Sequence, residues 1–276
     1  MILKLRDRAI DCTDRTAVMG ILNVSDDSPV AFSRVGAGQA LDRARALSRH
    51  GAEIIDVGAH STATGARDLT PQEEIERVVP VIEALVRDGL IVSIDTWTAE
   101  VAQAAAQAGV HLLNDVTGFN DPSMVRVAAD FGLPACVMHM RGDPKHHREV
   151  SQQYGDIEGE VRAALVERAR SLEVGGVTAW LDPGFGFGRS AEDNLRLLRG
   201  IPALVATGYP VLISASRKGF LGELIGDGYG QQVQGILEAT LAFNVLAGWM
   251  GTHVVRVHDV QEVVRALAVV NSARKR

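Results

Sequence analysis

Short runs of apolar, β-prone residues recur along the chain, and between them the apolar positions switch to helical spacing. Runs of the first kind occupy 17–23 (AVMGILN), 53–57 (EIIDV), 91–96 (IVSIDT), 111–116 (HLLNDV), 135–139 (ACVMH), 179–183 (AWLDP), 210–214 (PVLIS) and 253–257 (HVVRV). Continuous apolar runs of this length suit strands buried on both faces of a parallel sheet. Helical spacing is clearest over 37–50, 71–87, 98–108, 157–174 and 234–246. The second helix opens on LTPQEE, which offers Thr70 as N-cap and Pro71 at the first helical position, with acids behind. Gly51, Gly109 and Gly175 sit where helices should stop.

Eight alternating β and α units predict the α/β class. The choice is between an open doubly wound sheet and a closed (β/α)8 TIM barrel. Nearly every predicted strand ends in a polar residue: Asn23, Asp56, Asp95, Asn114 with Asp115, His139, Asp182, the stretch 216–218, and Arg256 with His258. An open sheet concentrates its site at one switch point, whereas a barrel collects residues from all its strand ends at one mouth. The pattern favours the barrel. The opening segment LKLRDRAIDC reads as a short β-hairpin capping the other end. No linker or composition shift divides the chain, so residues 1–276 are read as one domain.

The 276 residues are 46% hydrophobic and 22% charged, with a net charge of −6. That balance argues against a broad nucleic-acid-binding face, though a local basic cluster can still hold a small anion. The two cysteines, Cys12 and Cys136, have no metal or redox spacing. With no signal peptide at the N-terminus and no apolar run long enough for a membrane span, the cytoplasm is the expected compartment.

Asp95, Asn114 and Asp182 each follow an apolar run. Any one of them alone reads equally well as a helix cap or turn former. Together with Lys218 and Arg256 at other strand ends they suit a flat heterocycle edged with amino, ring NH and carbonyl groups. Arg256 can grip a phosphate with two parallel hydrogen bonds, and Lys218 can supply a point charge. His258, two residues after Arg256, points the same way along an extended chain and suits anion binding, proton transfer or a helix cap. DPGFGFGRS (182–190) lacks the spacing of a phosphate-binding P-loop, and its Phe187 is available to a ring or to the core. MHMRGDPKHH (138–147) has no zinc-ligand spacing.

In order along the chain, MGILNVSDDS, GAEIIDVGAHST, VSIDT, LLNDVTG, MHMRGDPK, LDPGFGFGRS, ISASRKGFLG and VVRVHDV resemble the signature segments of dihydropteroate synthases, over roughly residues 18–260. The resemblance implies a (β/α)8 barrel, usually a homodimer. It implies condensation of 6-hydroxymethyl-7,8-dihydropterin diphosphate with p-aminobenzoate and release of pyrophosphate. Carried over by position, Asp95, Asn114, Asp182 and Lys218 match pterin-binding residues, with Met138 lining the pocket. Asn23, Arg256 and His258 match the diphosphate and Mg2+ region, Asn23 as metal ligand. Thr62, Phe187, Ser216 and Arg217 fall at the aminobenzoate end. Catalysis is expected of Asp95, Lys218 and Arg256. Two loops depart from the family pattern. The first reads DDSPVAFSRVG, as if Pro29 to Ala31 were inserted. The second reads HSTATG where the family shows ESTRPG, so that His60, Ala63 and Thr64 replace a glutamate, an arginine and a proline. Arg189 replaces a common lysine. A paralogue with weak turnover or another amine acceptor, and more distantly a pterin-dependent methyltransferase, are the alternatives; the SRK and RVHD segments count against the last.

Overall fold

The computed structural model describes residues 1–24, 37–60, 67–147, 149–230 and 234–274. Thr62, Ala63, Thr64 and the Pro29 to Ala31 stretch lie outside the described residues. A small antiparallel pair comes first, β1 (Ile2–Lys4) and β2 (Ala9–Asp11). Eight parallel strands follow: β3 (Ala17–Asn23), β4 (Ile54–Gly58), β5 (Val92–Asp95), β6 (Leu112–Asp115), β7 (Ala135–Met138), β8 (Ala179–Asp182), β9 (Leu212–Ile213) and β10 (Val254–Val257). Their order is β8-β7-β6-β5-β4-β3-β10-β9. A parallel bridge between Leu181 and Val211, with the Leu181 amide donating to the Pro210 carbonyl at 2.8 Å, brings the two edges together. The result is a nearly closed barrel.

Between the strands lie α1 (Ala37–Arg49), α2 (Pro71–Arg87), α3 (Ala99–Ala108), α4 (Pro122–Asp130), α5 (Ile157–Val174), α6 (Ala191–Arg199), α7 (Ile201–Val205), α8 (Gly219–Leu224), α9 (Ile236–Trp249) and α10 (Val260–Arg274). All eight expected strands form, as do the five helices with the clearest spacing. Thr70 closes a reciprocal capping box with Glu73 at the start of α2. Gly51 and Gly109 take the left-handed conformation after α1 and α3. After α5 that role falls to Gly176 (φ 78°), one residue beyond the expected Gly175 (φ −82°).

The two sides of each strand divide the core. Val18, Ile55, Ile94, Leu113, Val137, Leu181 and Val255 face outward into the helical layer. Residues of the opposite parity fill the lower barrel: Met19, Ile54, Leu112, Cys136, Trp180, Leu212 and Val254. Leu3, Leu5 and Ile10 of the N-terminal hairpin join this second cluster, so the hairpin does plug the bottom. Side chains alternate along a strand. Two residues above that apolar floor the same parity therefore reaches Ile21, Asp56, Asn114, Met138, Asp182, Ser214 and Arg256. The polar mouth and the apolar bottom are one pattern read two residues apart.

Because Leu3 is fully buried in the plug, Leu3→Ala should cost about 2–5 kcal/mol of unfolding free energy in a urea titration. A loss below about 1 kcal/mol would show that the hairpin does not pack as a plug.

Candidate active site

The centre of the mouth is a buried ion-pair network. Arg256, on β10, donates from Nε to Asp56 Oδ2 at 2.5 Å and from one terminal nitrogen to Asp95 Oδ2 at 2.6 Å. The same Asp56 oxygen accepts the Asn114 amide at 3.2 Å. Asp56 is fully buried, and its other oxygen has no hydrogen-bond partner among the described residues. The sequence reading places Asp56 at a strand end but gives it no role. Here it orients both the guanidinium and the carboxamide. Its parity with Ile54 was the available signal.

Burial sets the electrostatics. It pushes the Asp95 carboxyl up to about 7, against the pull of Arg256. It pushes Asp182 up to about 6, opposed by the Gly184 amide, which donates to Asp182 Oδ1 at 2.8 Å, and by Lys218. It draws Lys218 down to about 7, against the neighbouring Asp182. Arg256 also feels burial, but Asp56 and Asp95 outweigh it and hold the guanidinium above its ordinary value. Perturbed groups of both signs, gathered at one barrel mouth, are the electrostatic mark of a working site.

Glycines make room for Lys218. A Cβ on Gly186 (φ 78°) would come within 2.6 Å of the lysine Cδ. The ammonium sits 3.8 Å from the centre of the Phe187 ring. That ring packs with Val116 and Met138 in an apolar cluster, and His147 meets it edge-on at 5.4 Å. Phe185 is core, fully buried against Phe243. Arg189 is also buried. It donates to the Pro183, Gly184 and His139 carbonyls and to His139 Nδ1, fastening the β7 and β8 loops together behind Asp182. Burial and Arg189 draw His139 down to about 4, so it is neutral and able to accept.

On the opposite side, the His258 amide donates to Ser216 Oγ at 3.1 Å, and Ser216 Oγ lies 3.0 Å from His258 Nδ1. The hydroxyl accepts from the amide and can give its own proton to Nδ1, which leaves the imidazole proton on Nε2. Burial, then Arg256, Arg217 and Lys218, draw His258 down to about 3. The imidazole is a neutral donor in a positive region. Arg217 is held with φ 55° and pairs through two nitrogens with Asp259, at 2.7 and 2.8 Å. Asn23 ends β3 at the same mouth, opposite Gly58.

Of the residues singled out from sequence, Asp95, Asn114, Met138, Asp182, Phe187 and Lys218 come together in one cleft, with Arg256 spanning it and Ser216 and His258 beside it. Asp115 does not join them. It points outward and organises the turn after β6, accepting from the Thr117 and Phe119 amides at 2.7 and 2.8 Å.

The signature of a family described as "Pterin binding enzyme" matches residues 19–258. The chain belongs to the pterin-binding enzymes, in the dihydropteroate synthase family. It is 38% identical over 263 residues to the dihydropteroate synthase of Escherichia coli, covering 92% of this chain and 90% of that one. Its structure is similar to that of the Thermus thermophilus dihydropteroate synthase in complex with 4-aminobenzoate (TM-score 0.87, 41% identity, 99% of each chain). It is also similar to the Xanthomonas albilineans enzyme in complex with 7,8-dihydropteroate (TM-score 0.84, 34% identity, 100% and 99% covered). In this family member the mouth holds its ionisable groups at a cost in stability.

Asp182 gives the clearest test of that cost. Its carboxyl lies above the ordinary 3.8 in the folded protein, so the folded state binds more protons than the unfolded one between about pH 4 and 6. Its contribution to stability is present below pH 4 and is lost as pH rises through 6. Asp182→Asn keeps the oxygen that accepts the Gly184 amide and removes the charge. We expect no gain in Tm near pH 4 and a gain of several degrees at pH 7.5, at about 2–4 °C per kcal/mol. A pH-independent difference in calorimetric Tm would contradict the assignment.

Proposed function

We propose that this chain is a transferase of folate synthesis that joins 6-hydroxymethyl-7,8-dihydropterin diphosphate to p-aminobenzoate and releases pyrophosphate, using one pterin-binding barrel domain that spans residues 1–276. The observation that carries the reading is the placement, at one barrel mouth, of a heterocycle-reading set beside an anion-binding set. Asn114, Asp182 and Lys218 present paired donors and acceptors that complement the edge of a pterin. Met138 and Phe187 supply an apolar surface for its face. Arg256 and the Nε2 proton of His258 supply donors for a diphosphate. Thr62, Ser216, Arg217 and Phe187 are assigned to the p-aminobenzoate end.

The chemistry follows from the charges. The bond between the pterin methylene and the diphosphate oxygen breaks, and its electron pair leaves with pyrophosphate. Arg256 neutralises that developing charge, and it is pre-oriented by Asp56 before substrate arrives. The methylene becomes cationic, and Asp95, ionised and hydrogen-bonded, stabilises it from the pterin side. The neutral amine forms the new carbon–nitrogen bond and then releases a proton, so no covalent enzyme intermediate is required. Lys218, drawn down to about 7, can donate to the pterin without the full desolvation cost of a fixed charge.

Mg2+ is the cation we assign to the diphosphate, where it would add charge neutralisation. Among the described residues no group of three or more His, Cys, Asp or Glu side chains is placed to hold a metal. Asn23 alone fits a hard cation that takes its other ligands from phosphate oxygens and water. The proposed assembly is a homodimer through the outer face of α9 and α10. Helix α9 carries one charge, Glu238, in fourteen residues, and exposes Leu246 and Trp249 beside Val269 of α10. Large apolar side chains exposed together on one outer face are expected to be covered in the working assembly. A cytoplasmic setting is supported by two buried free thiols, and no described helix is long and apolar enough to cross a membrane.

Pyrophosphate release should require both substrates together, and a steady-state assay that finds release without p-aminobenzoate would overturn the reaction. Asp182→Ala should weaken pterin binding at least tenfold by calorimetry, as losing a charged hydrogen-bond partner costs about 1.5–3 kcal/mol. Arg256→Ala should weaken the diphosphate ester far more than the plain hydroxymethyl pterin; equal losses would show that Arg256 does not read the phosphates. Leu246→Glu with Trp249→Glu should shift the sedimenting species from dimer to monomer, and an unchanged dimer would place the interface elsewhere. Since Ala63 cannot supply the charge of the family's loop arginine, Ala63→Arg with Thr64→Pro should raise p-aminobenzoate turnover by about 10- to 100-fold. Equal turnover in the two proteins would make the loop differences neutral.

A further inference from the structure

Trp97 has no part in the site so far described, yet it stands on the rim of the cleft. It follows Asp95 by two residues, and burial alternates along Asp95, Thr96 and Trp97, with Thr96 buried and its neighbours partly exposed. Trp97 and Met140 pack against the cluster of Val116, Met138 and Phe187. That cluster is continuous with the polar floor: Phe187 carries the Lys218 ammonium, Met138 pairs in register with Asp182, and Val116 lies two residues from Asn114.

The indole is held from behind. The His60 ring lies against it, with centroids 4.5 Å apart and planes 36° apart. His60 is itself nearly buried and set between two carboxylates, Nδ1 3.7 Å from Glu74 Oε2 and Nε2 3.5 Å from Asp68 Oδ1. Glu74 is buried on α2, and Asp68 is paired with Lys145 of the β7 loop. Neither imidazole nitrogen makes a hydrogen bond among the described residues; the ring is held by burial beside Glu74 and by its packing on the indole. The protein's other two tryptophans lie elsewhere: Trp180 in the barrel's lower layer and Trp249 on the outside of α9. A large aromatic ring left partly open on an apolar wall is surface that a bound ring would cover.

We infer that Trp97, braced by His60, is a substrate-contacting wall of the cleft in this chain, and that its indole touches the bound pterin ring. The inference rests on the pterin reading of the site. It adds a ring contact supplied by a residue outside the signature segments and a brace supplied by the first residue of the altered second loop.

The test uses the full chain and 6-hydroxymethylpterin. Biosynthetic incorporation of 5-fluorotryptophan gives one fluorine resonance per tryptophan, and the resonance missing from Trp97→Phe is that of Trp97. It should shift or broaden on adding pterin, while that of Trp249 stays in place. By calorimetry, Trp97→Ala should bind pterin roughly tenfold more weakly, within the range of aromatic stacking on nucleobase-like rings. Trp97→Phe should stay within about threefold of the natural chain, since a ring is retained. His60→Ala should weaken binding while the Trp97 resonance still responds. The wall is refuted by an unmoved Trp97 resonance at saturating pterin, a measurement on the natural sequence that does not depend on any variant folding. It is equally refuted by Trp97→Ala binding within twofold of the natural chain. In both cases the pterin reading stands. If the natural chain fails to bind pterin, both readings fall.

Discussion

Arg256 is a guanidinium set inside a barrel, and most of the site is arranged around that fact. A buried charge is tolerated only when it is paired and its hydrogen bonds are met. Its partners are Asp56 and Asp95, 200 and 161 residues away in sequence. They reach it because β10 pairs with β3, β3 with β4 and β4 with β5. The sheet order that nearly closes the barrel is therefore the order that neutralises the arginine. Barrel architecture and anion-binding chemistry are one constraint here, since an open sheet with β10 at a distant edge would leave Arg256 unpaired.

The apolar lower layer explains why the charges above it are so strongly perturbed. Trp180 lies two residues below Asp182, and Leu212 and Val254 fill the neighbouring positions. Water is excluded from beneath the polar ring, so desolvation leads the causes acting on Asp95, Asp182, Lys218 and His258 alike. In the ligand-free protein the raised carboxyls and the lowered lysine are destabilising when charged. Donors from a bound heterocycle would favour the ionised carboxylates, and an anion would favour the charged lysine. Stability is given up for preorganisation, a common feature of functional sites.

Much of this was legible in the sequence because it follows from period. Eight apolar runs were enough for eight strands, and the polar residue at each run's end marked the mouth. What the runs did not disclose was direction. Asn114 and Asp115 are adjacent and look equally suited to a ligand, but only parity with Leu112 shows that the first faces the lumen and the second turns outward to build a loop. Asp56 was visible at its strand end, yet its role depends on a partner from the far end of the chain, a contact that no local pattern carries. Trp97 was invisible for a different reason. Its significance comes from what stands behind it, and the bracing His60 comes from the connection between β4 and α2, away from Trp97 in sequence. The loops around 25–36 and 61–66 were recognised only by how they depart from the family pattern.

The second loop shows how such a departure can be self-consistent. Set against the ESTRPG pattern, HSTATG loses a glutamate and an arginine together, one charge of each sign. At position 60 the structure shows what surrounds the substituted side chain. His60 faces Glu74, which is buried with one oxygen unpartnered, and Asp68. A glutamate at 60 would add a third carboxylate to that corner, and like charges at this range in a poorly solvated place repel strongly unless a cation lies among them. An imidazole at 60 adds no carboxylate to that corner, and its flat ring packs against Trp97. A glutamate restored at 60 would set its charge beside the buried Glu74, while the neighbouring Asp68 already has Lys145 as its cation.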